Sequence, residues 1–316
     1  MNEAIKIGIS TCLLGESVRY DGGHQHDRFL TGTLGQFVQY VPVCPEVECG
    51  LPVPRESMRL VGDLDSHRLV TRKTGIDHTD RMKRWAQERL DLLEAEDLCG
   101  FIFKKGSPSS GLYRVKIYTD QGMPHQSGAG IWARAFTERF PLVPVEEDGR
   151  LNDPKLRENF IEQIFALKRW RDTLARRRSV GAIVDFHTRN KLLILAHGQA
   201  HYRQMGKLVA GGKMFPLPEL YRKYASLLVE SLRLKTTIKK HANVLQHMMG
   251  YFKKQLSADE KQEILEILDQ YRNELVPLIV PITLFNHYVR KYAQPYLATQ
   301  TYLHPHPLEL KLRNHV

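Results

Sequence analysis

The stretch Lys6-Ile7-Gly8-Ile9-Ser10-Thr11-Cys12-Leu13-Leu14-Gly15 decides the fold. A short β-rich run stops in a turn that carries a cysteine, and the same grammar returns twice downstream. Phe37 to Val43 runs into Cys44-Pro45-Glu46, and Gly100 to Phe103 runs toward Ser107-Pro108-Ser109-Ser110-Gly111. Between the second and third runs, Met82, Trp85, Leu90 and Leu93 mark a helix over about Asp80 to Glu96. Val115 to Tyr118 reads as a further strand and Gly130 to Arg139 as a short helix. Strand, helix, strand repetition implies an α/β domain with a mainly parallel, Rossmann-like sheet. In such sheets ligands sit beyond the carboxyl ends of the strands. Three strand ends would therefore deliver thiols, a carboxylate and hydroxyls to one edge.

Outward from this region the character changes. Glu146 to Pro154 is polar and turn-rich and reads as a linker, which predicts an N-terminal domain over 1–148 and an all-α domain over 154–316. Helical patterns follow over Arg157 to Arg177, Val184 to Leu208, Leu217 to His241 and Glu260 to Tyr271. Neither an internal repeat nor a low-complexity tract is present. The total of 316 residues suits two domains at about 100–200 residues each.

Charge divides with the pattern. Residues 1–150 hold 19 Lys and Arg against 21 Asp and Glu, whereas 151–316 hold 27 against 14, so the entire basic excess lies in the second half. A field of one sign on one domain favours polyanions, which makes nucleic acid the leading candidate partner. Two clusters stand out: Lys168, Arg169, Arg171 and Arg176-Arg177-Arg178, then Arg233, Lys235, Lys239 and Lys240. The apolar stretch Leu275 to Phe285 is broken by Pro277 and Pro281 and falls short of the roughly 18 residues of a membrane span. Four unevenly spaced cysteines and no charged-then-apolar leader point to a cytoplasmic protein with free or metal-bound thiols.

Cys99 leads into an apolar strand and reads as a small core residue. Cys12, Cys44 and Cys49 each sit beside a turn, where a side chain can face a cleft. Their spacing matches no common zinc signature. Three thiolates would suit an iron–sulfur cluster with one open iron, and three unligated thiols in a nucleotide-binding α/β domain fit the spacing equally well. His187, His197, His201, His241 and His247 fall at helical spacings and read as satisfied core or capping groups, so no second metal is assigned.

These residues also carry a resemblance. Ser10 to Gly15 with Val18-Arg19-Tyr20-Asp21-Gly22, Val43 to Val47 with Gly50-Leu51 and Pro54-Arg55, and Ser107 to Gly111 resemble the TudS-type thiouracil desulfidase domain. His187, Lys191 to His197, Tyr202, His241 to Leu256, Leu275 to Arg290 and the ending from Tyr302 to Asn314 resemble the YbgA-like domain. The fused pair is similar to the RudS-type tRNA 4-thiouridine desulfidases. The resemblance implies a 4Fe-4S cluster held by three cysteines, whose open iron captures the sulfur of a thiolated pyrimidine. It implies hydrolytic, non-redox removal of that sulfur, with Glu46 as acid/base and Ser107 as hydroxyl partner.

One position departs from the family pattern. The third motif usually reads Ser-Pro-Ser-Cys-Gly and supplies a ligand, but here it holds Ser110. Thiolate is the softer donor, so Cys12, Cys44 and Cys49 are the expected ligand set, with an alkoxide from Ser110 or a weakly held cluster as the alternatives. Arg19, Asp21, Ser109 and Ser110 are expected at the substrate, with His24 close to them in sequence. Lys168, Arg169, Arg176, Arg177, Arg178, Lys239 and Lys240 are expected to hold tRNA, without a protein partner. A free-thiouracil desulfidase and a non-catalytic iron–sulfur sensor that binds nucleic acid are the alternative functions.

Overall fold

The computed structural model describes residues 4–315, which fall into two compact units that meet between Asp153 and Pro154. The first unit is built on a four-stranded sheet of β1 (Ile5–Ser10), β2 (Val38–Val43), β5 (Gly100–Phe103) and β8 (Val145–Glu147), in the order β2-β1-β5-β8. All of its pairings are parallel, as the sequence pattern implies. The chain leaves β1 toward β2 on one side and comes back to β5 on the other. The crevice beyond the carboxyl ends of β1 and β5 is therefore the topological switch point. Gly8 is required there by contact, since a Cβ would lie 2.2 Å from the Phe101 ring.

A second sheet escapes the sequence reading. It runs β4-β3-β6-β7, from β3 (Met58–Val61), β4 (Arg68–Thr71), β6 (Val115–Tyr118) and β7 (Pro124–Gly128). Val115 to Tyr118 is thus a strand of this mixed sheet and not an extension of the parallel one. It pairs parallel with β3 and antiparallel with β7. Four-residue strands such as Met58-Arg59-Leu60-Val61 are too short to show a period, and β7 is almost wholly exposed. The helices of this unit are α1 (Pro45–Glu48), α2 (Thr79–Glu94) and α3 (Ile131–Arg139).

The linker reading also needs correction. Glu146 and Glu147 belong to β8 and are buried. The Glu147 carboxylate accepts the N–H groups of Leu112 and Tyr113 at 2.8 and 3.0 Å, and Glu146 pairs with Arg150 at 2.7 Å. An acidic run normally means solvent, but backbone donors supplied from 34 and 35 residues away make burial tolerable here.

The second unit is helical: α4 (Pro154–Arg176), α5 (Val180–His197), α6 (Gln199–Ala210), α7 (Leu217–Arg233), α8 (Ile238–Gly250), α9 (Ala258–Arg272) and α10 (Ile279–Lys291). Two of the four expected helices are each split. Val184 to Leu208 breaks at Gly198, and Leu217 to His241 breaks before Thr237, whose side chain caps the next helix. Trp170 anchors the core against Phe186, Tyr221 and Tyr224. Titratable groups lie inside as well. Glu162 accepts from Arg313 Nη2 at 2.9 Å and from His197 Nε2 at 3.1 Å, while Glu158 lies 3.4 Å from Arg313 Nε. No helix among the described residues is long and apolar enough to cross a membrane.

Candidate active site

Three strand ends of the parallel sheet, those of β1, β2 and β5, each deliver one functional loop. After β1, a 3-10 turn over Thr11–Leu14 carries Cys12 and closes on Gly15, whose φ of 97° is open to glycine at no steric cost. After β2, Cys44 precedes α1, with Pro45 at its first position. The Cys44 N–H donates to Glu48 Oε1 at 2.8 Å, which fixes the turn that aims Glu46. Beyond β5, the Lys104 N–H donates to Ser10 Oγ at 2.9 Å and ties the ends of β1 and β5 together. The loop that follows, Ser107 to Gly111, is gripped by α3, where the N–H groups of Trp132 and Ala133 donate to the Ser109 carbonyl at 3.0 and 3.2 Å. Gly130 permits that grip, since a Cβ would lie 2.4 Å from the same carbonyl oxygen.

These loops enclose a cavity of about 600 Å3 lined by Cys12, Cys44, Glu46, Ser107, Ser110 and Arg19, among others. Glu46 is its centre of hydrogen bonding. Its Oε1 accepts from Ser109 Oγ and, at 3.3 Å, from Ser107 Oγ, and the two hydroxyls lie 2.9 Å apart. Its Oε2 faces the Cys44 thiol at 3.7 Å and Arg55 Nη2 at 3.8 Å. Burial pushes the Cys12 thiol up to about 11, with Lys104 pulling the other way. Burial, reinforced by the Glu46 charge, pushes Cys44 up to about 12. Both are therefore protonated at neutral pH unless a metal ion competes with the proton.

The expected site residues divide. Cys49 does not line the cavity: its Sγ donates to the Glu46 carbonyl at 3.3 Å, and its side chain packs against the cluster of Leu51, Met58 and Leu60. Ser110, on the opposite loop, does line it. Asp21 does not; it accepts from the Gly23 N–H at 3.0 Å and pairs at 3.5 Å with Arg19, which does. Ser109 is fully buried behind Glu46. The cavity thus offers two thiols and the Ser110 position as donors, and the soft pair on one wall fits an iron–sulfur group.

In the helical unit, Arg169 and Lys240 are drawn into the fold. Arg169 Nη1 donates to the Pro305 carbonyl at 2.6 Å with the rest of its head group buried, and Lys240 Nζ donates to the carbonyls of His197 and Lys235. Lys168 is paired with Asp172. Arg176, Arg177, Arg178 and Lys239 remain exposed. Glu158, Glu162 and His306 bring ligand atoms within 4.8 Å of one another, but Arg313, His197 and His315 already occupy both carboxylates. The group is an ion-pair network.

The sequence reading quoted Arg55 without a role and missed most of the cavity's other cations, Arg59, Arg72, Lys104, Lys105, Arg114 and Lys116. A half-chain near neutrality gives no compositional sign of them; only pairing the strands reveals the cluster.

Fold and cavity together define an α/β protein with a thiol, carboxylate and hydroxyl site at the switch point, followed by a helical unit. A family model described as 2-thiouracil desulfurase matches residues 7–148, and one described as a protein of unknown function, DUF1722, matches 191–307. The uncharacterized protein YbgA of Escherichia coli strain K12 is 31% identical over 165 residues, 52% of this chain and 98% of YbgA. A solved structure, the 4Fe-4S-dependent thiouracil desulfidase TudS, is 34% identical, covering 47% of this chain and 93% of its own, at a TM-score of 0.39. The chain belongs to the thiouracil desulfurase family through one domain and to the DUF1722/YbgA-like family through the other.

Proposed function

We propose that the protein hydrolytically removes sulfur from 4-thiouridine in tRNA, leaving uridine, and that a 4Fe-4S cluster serves it in the cavity. The observation that carries the reading is Glu46, a carboxylate held between a buried thiol and two serine hydroxyls. Membership of the thiouracil desulfurase family and the cofactor named for TudS support it. Cys12 and Cys44 would hold the cluster, and Ser110 is the third candidate donor lining the cavity. When bound, the cluster supplies a Lewis-acidic iron that polarises a thiocarbonyl.

The remaining work falls to the chain. Water adds at the ring carbon as its C–O bond forms, the C–S bond breaks, and both water protons leave with sulfur as hydrogen sulfide. No electrons are gained or lost. Glu46 takes the first proton from that water and returns it to the departing sulfur. Ser107 donates to Glu46 and holds its carboxylate in place. A base stacked in tRNA must be extruded to reach such a cavity, which calls for binding surface elsewhere. Arg176, Arg177, Arg178 and Lys239 supply exposed cations for phosphates.

The test digests treated tRNA to nucleosides and quantifies 4-thiouridine and uridine by mass spectrometry. Glu46→Gln should slow conversion by about 10²–10⁴-fold and leave tRNA binding in place. Unchanged 4-thiouridine in tRNA beside rapid turnover of free thiouracil would assign the protein to the free base instead.

A further inference from the structure

We infer that the groove between α2 and α3 is a second binding site, for a small organic acid: an apolar body that carries one carboxylate and a hydroxyl able to donate a hydrogen bond. The groove encloses about 510 Å3 and shares no lining residue with the cavity around Glu46. That volume suits a small molecule. The inference stands apart from the desulfidase reading and does not depend on it.

Two helical faces make the groove. On α2, Thr79, Lys83, Ala86, Gln87 and Leu90 recur at spacings of three and four and so share one face, and on α3 Ile131, Arg134, Ala135 and Glu138 do the same. The turn between β3 and β4 adds Ser66 and His67. Ala86, Leu90 and Ile131 are buried and, with half-buried Ala135, give the groove an apolar floor. Alanine at 86 and at 135 leaves open a seam that longer apolar side chains would fill.

The polar groups of the lining divide into engaged and free. Arg134 donates to the Leu64 carbonyl through Nη1 at 3.2 Å and to Glu138 Oε1 through Nε at 3.0 Å, and its Nη2 lies 3.9 Å from Asp65, so it occupies both carboxylates of the groove. Arg68 pairs with Asp77 and Asp120, which lie outside it. Lys83 is left over. Among the described residues no carboxylate lies within 4.0 Å of its Nζ, and Gln87, one turn along the same face, makes no hydrogen bond with its side chain.

His67 adds an acceptor. It is only 7% exposed, and its Nδ1 lies 3.1 Å from the Leu64 carbonyl. A carbonyl oxygen only accepts, so Nδ1 carries the proton and Nε2 of the neutral ring presents a lone pair. Burial, with the charges of Arg134 and Lys83 adding to it, lowers the pKa of the ring and keeps it neutral at pH 7. Among the described residues Nε2 has no hydrogen-bond partner, and it is not sealed from solvent, so it opens onto the groove that His67 lines. A carboxylate meets Lys83 and Gln87, a hydroxyl meets Nε2, and the apolar body covers the floor. One free cation matches a monoanion, and the apolar floor excludes a bare inorganic ion.

The test uses the full chain and fluorine NMR line broadening of para-fluorophenylacetate, its neutral amide and para-fluoromandelate. The acid should bind about two- to fivefold more tightly than its amide, the size of an exposed ion pair, and Lys83→Gln should remove that preference. The mandelate adds a hydroxyl and should bind about two- to tenfold more tightly than the phenylacetate. His67→Phe should remove this second gain and keep the first. Ala135→Leu fills the floor without removing a polar group and should weaken all three ligands, which locates the site even if His67→Phe does not fold. Arg84→Gln, an exposed cation of α2 outside both groove and cavity, should change nothing.

Absence of broadening, equal binding of acid and amide, a preference that survives Lys83→Gln, or broadening indifferent to Ala135→Leu overturns the site. A protein that desulfidates nothing leaves a positive result intact, and a groove that binds none of the three leaves the desulfidase reading intact.

Discussion

In the N-terminal unit eight basic side chains surround a cavity with one carboxylate among them, whereas the C-terminal unit takes Glu158, Glu162 and Arg313 into its interior and pairs them. The first arrangement leaves charge facing solvent, where a ligand can use it. The second encloses charge with its partners, so that little of it reaches the surface field. Net charge along the sequence therefore misstates where basic side chains collect: the acidic half lines a cavity with them, and the basic half commits Arg169 and Arg313 to its own interior and ties Lys240 to backbone carbonyls.

The sharpest way to break this contrast is Arg313→Met, which leaves two buried carboxylates without their guanidinium. It should cost about 3–5 kcal/mol. Urea titration with pulsed hydrogen exchange, read peptide by peptide, should show residues 154–315 unfolding earlier while 4–153 hold. Arg72→Gln, on the solvent side of the comparison, should change stability by no more than about 0.5 kcal/mol. Equal losses from the two variants would erase the distinction between the units.

Acid offers a smaller effect of defined sign. Burial lowers His241 to about 3 and His187 and His306 to about 4. The unfolded chain protonates these groups near 6.5, ahead of the folded unit, so stability should fall as pH drops from about 6.5 toward 4. Glu158, pushed up to about 8 by burial, opposes this with one proton against three. From these four groups the net of two protons amounts to about 2.7 kcal/mol per pH unit, and His304 and Glu162, both also shifted down, add to it in the same sense. The same exchange experiment at pH 7 and pH 5 checks it, and a midpoint for residues 154–315 that does not fall would refute the assignment.

The smallest effect sharpens the cavity side. Because Ser110 lines the cavity and Cys49 does not, Ser110→Cys should slow the loss of iron from anaerobically reconstituted protein, and Cys49→Ala should leave the iron count as it was. Iron and sulfide analysis with the visible absorption spectrum gives both answers without an activity assay. Loss of the cluster in Cys49→Ala would restore Cys49 to the ligand set.

The sequence by itself determined the parallel sheet, the three loops at its strand ends and the helical second half. Those signals are local: β-rich runs such as Ile7-Gly8-Ile9, turns such as Ser107 to Gly111, and apolar periodicity through Trp170. It also placed Cys12, Cys44, Glu46 and Ser107 at one edge, because parallel topology sends every strand end the same way. What only the tertiary structure decided depends on pairings across long separations. The second sheet joins strands about 57 residues apart and puts Arg59 beside Lys116. Burial of Glu147 waits on the N–H groups of Leu112 and Tyr113, and burial of Glu162 on Arg313, 151 residues away. A charged residue reads the same in sequence whether it meets water or a partner. Only the fold supplies the partner, and with it the difference between a binding surface and a core.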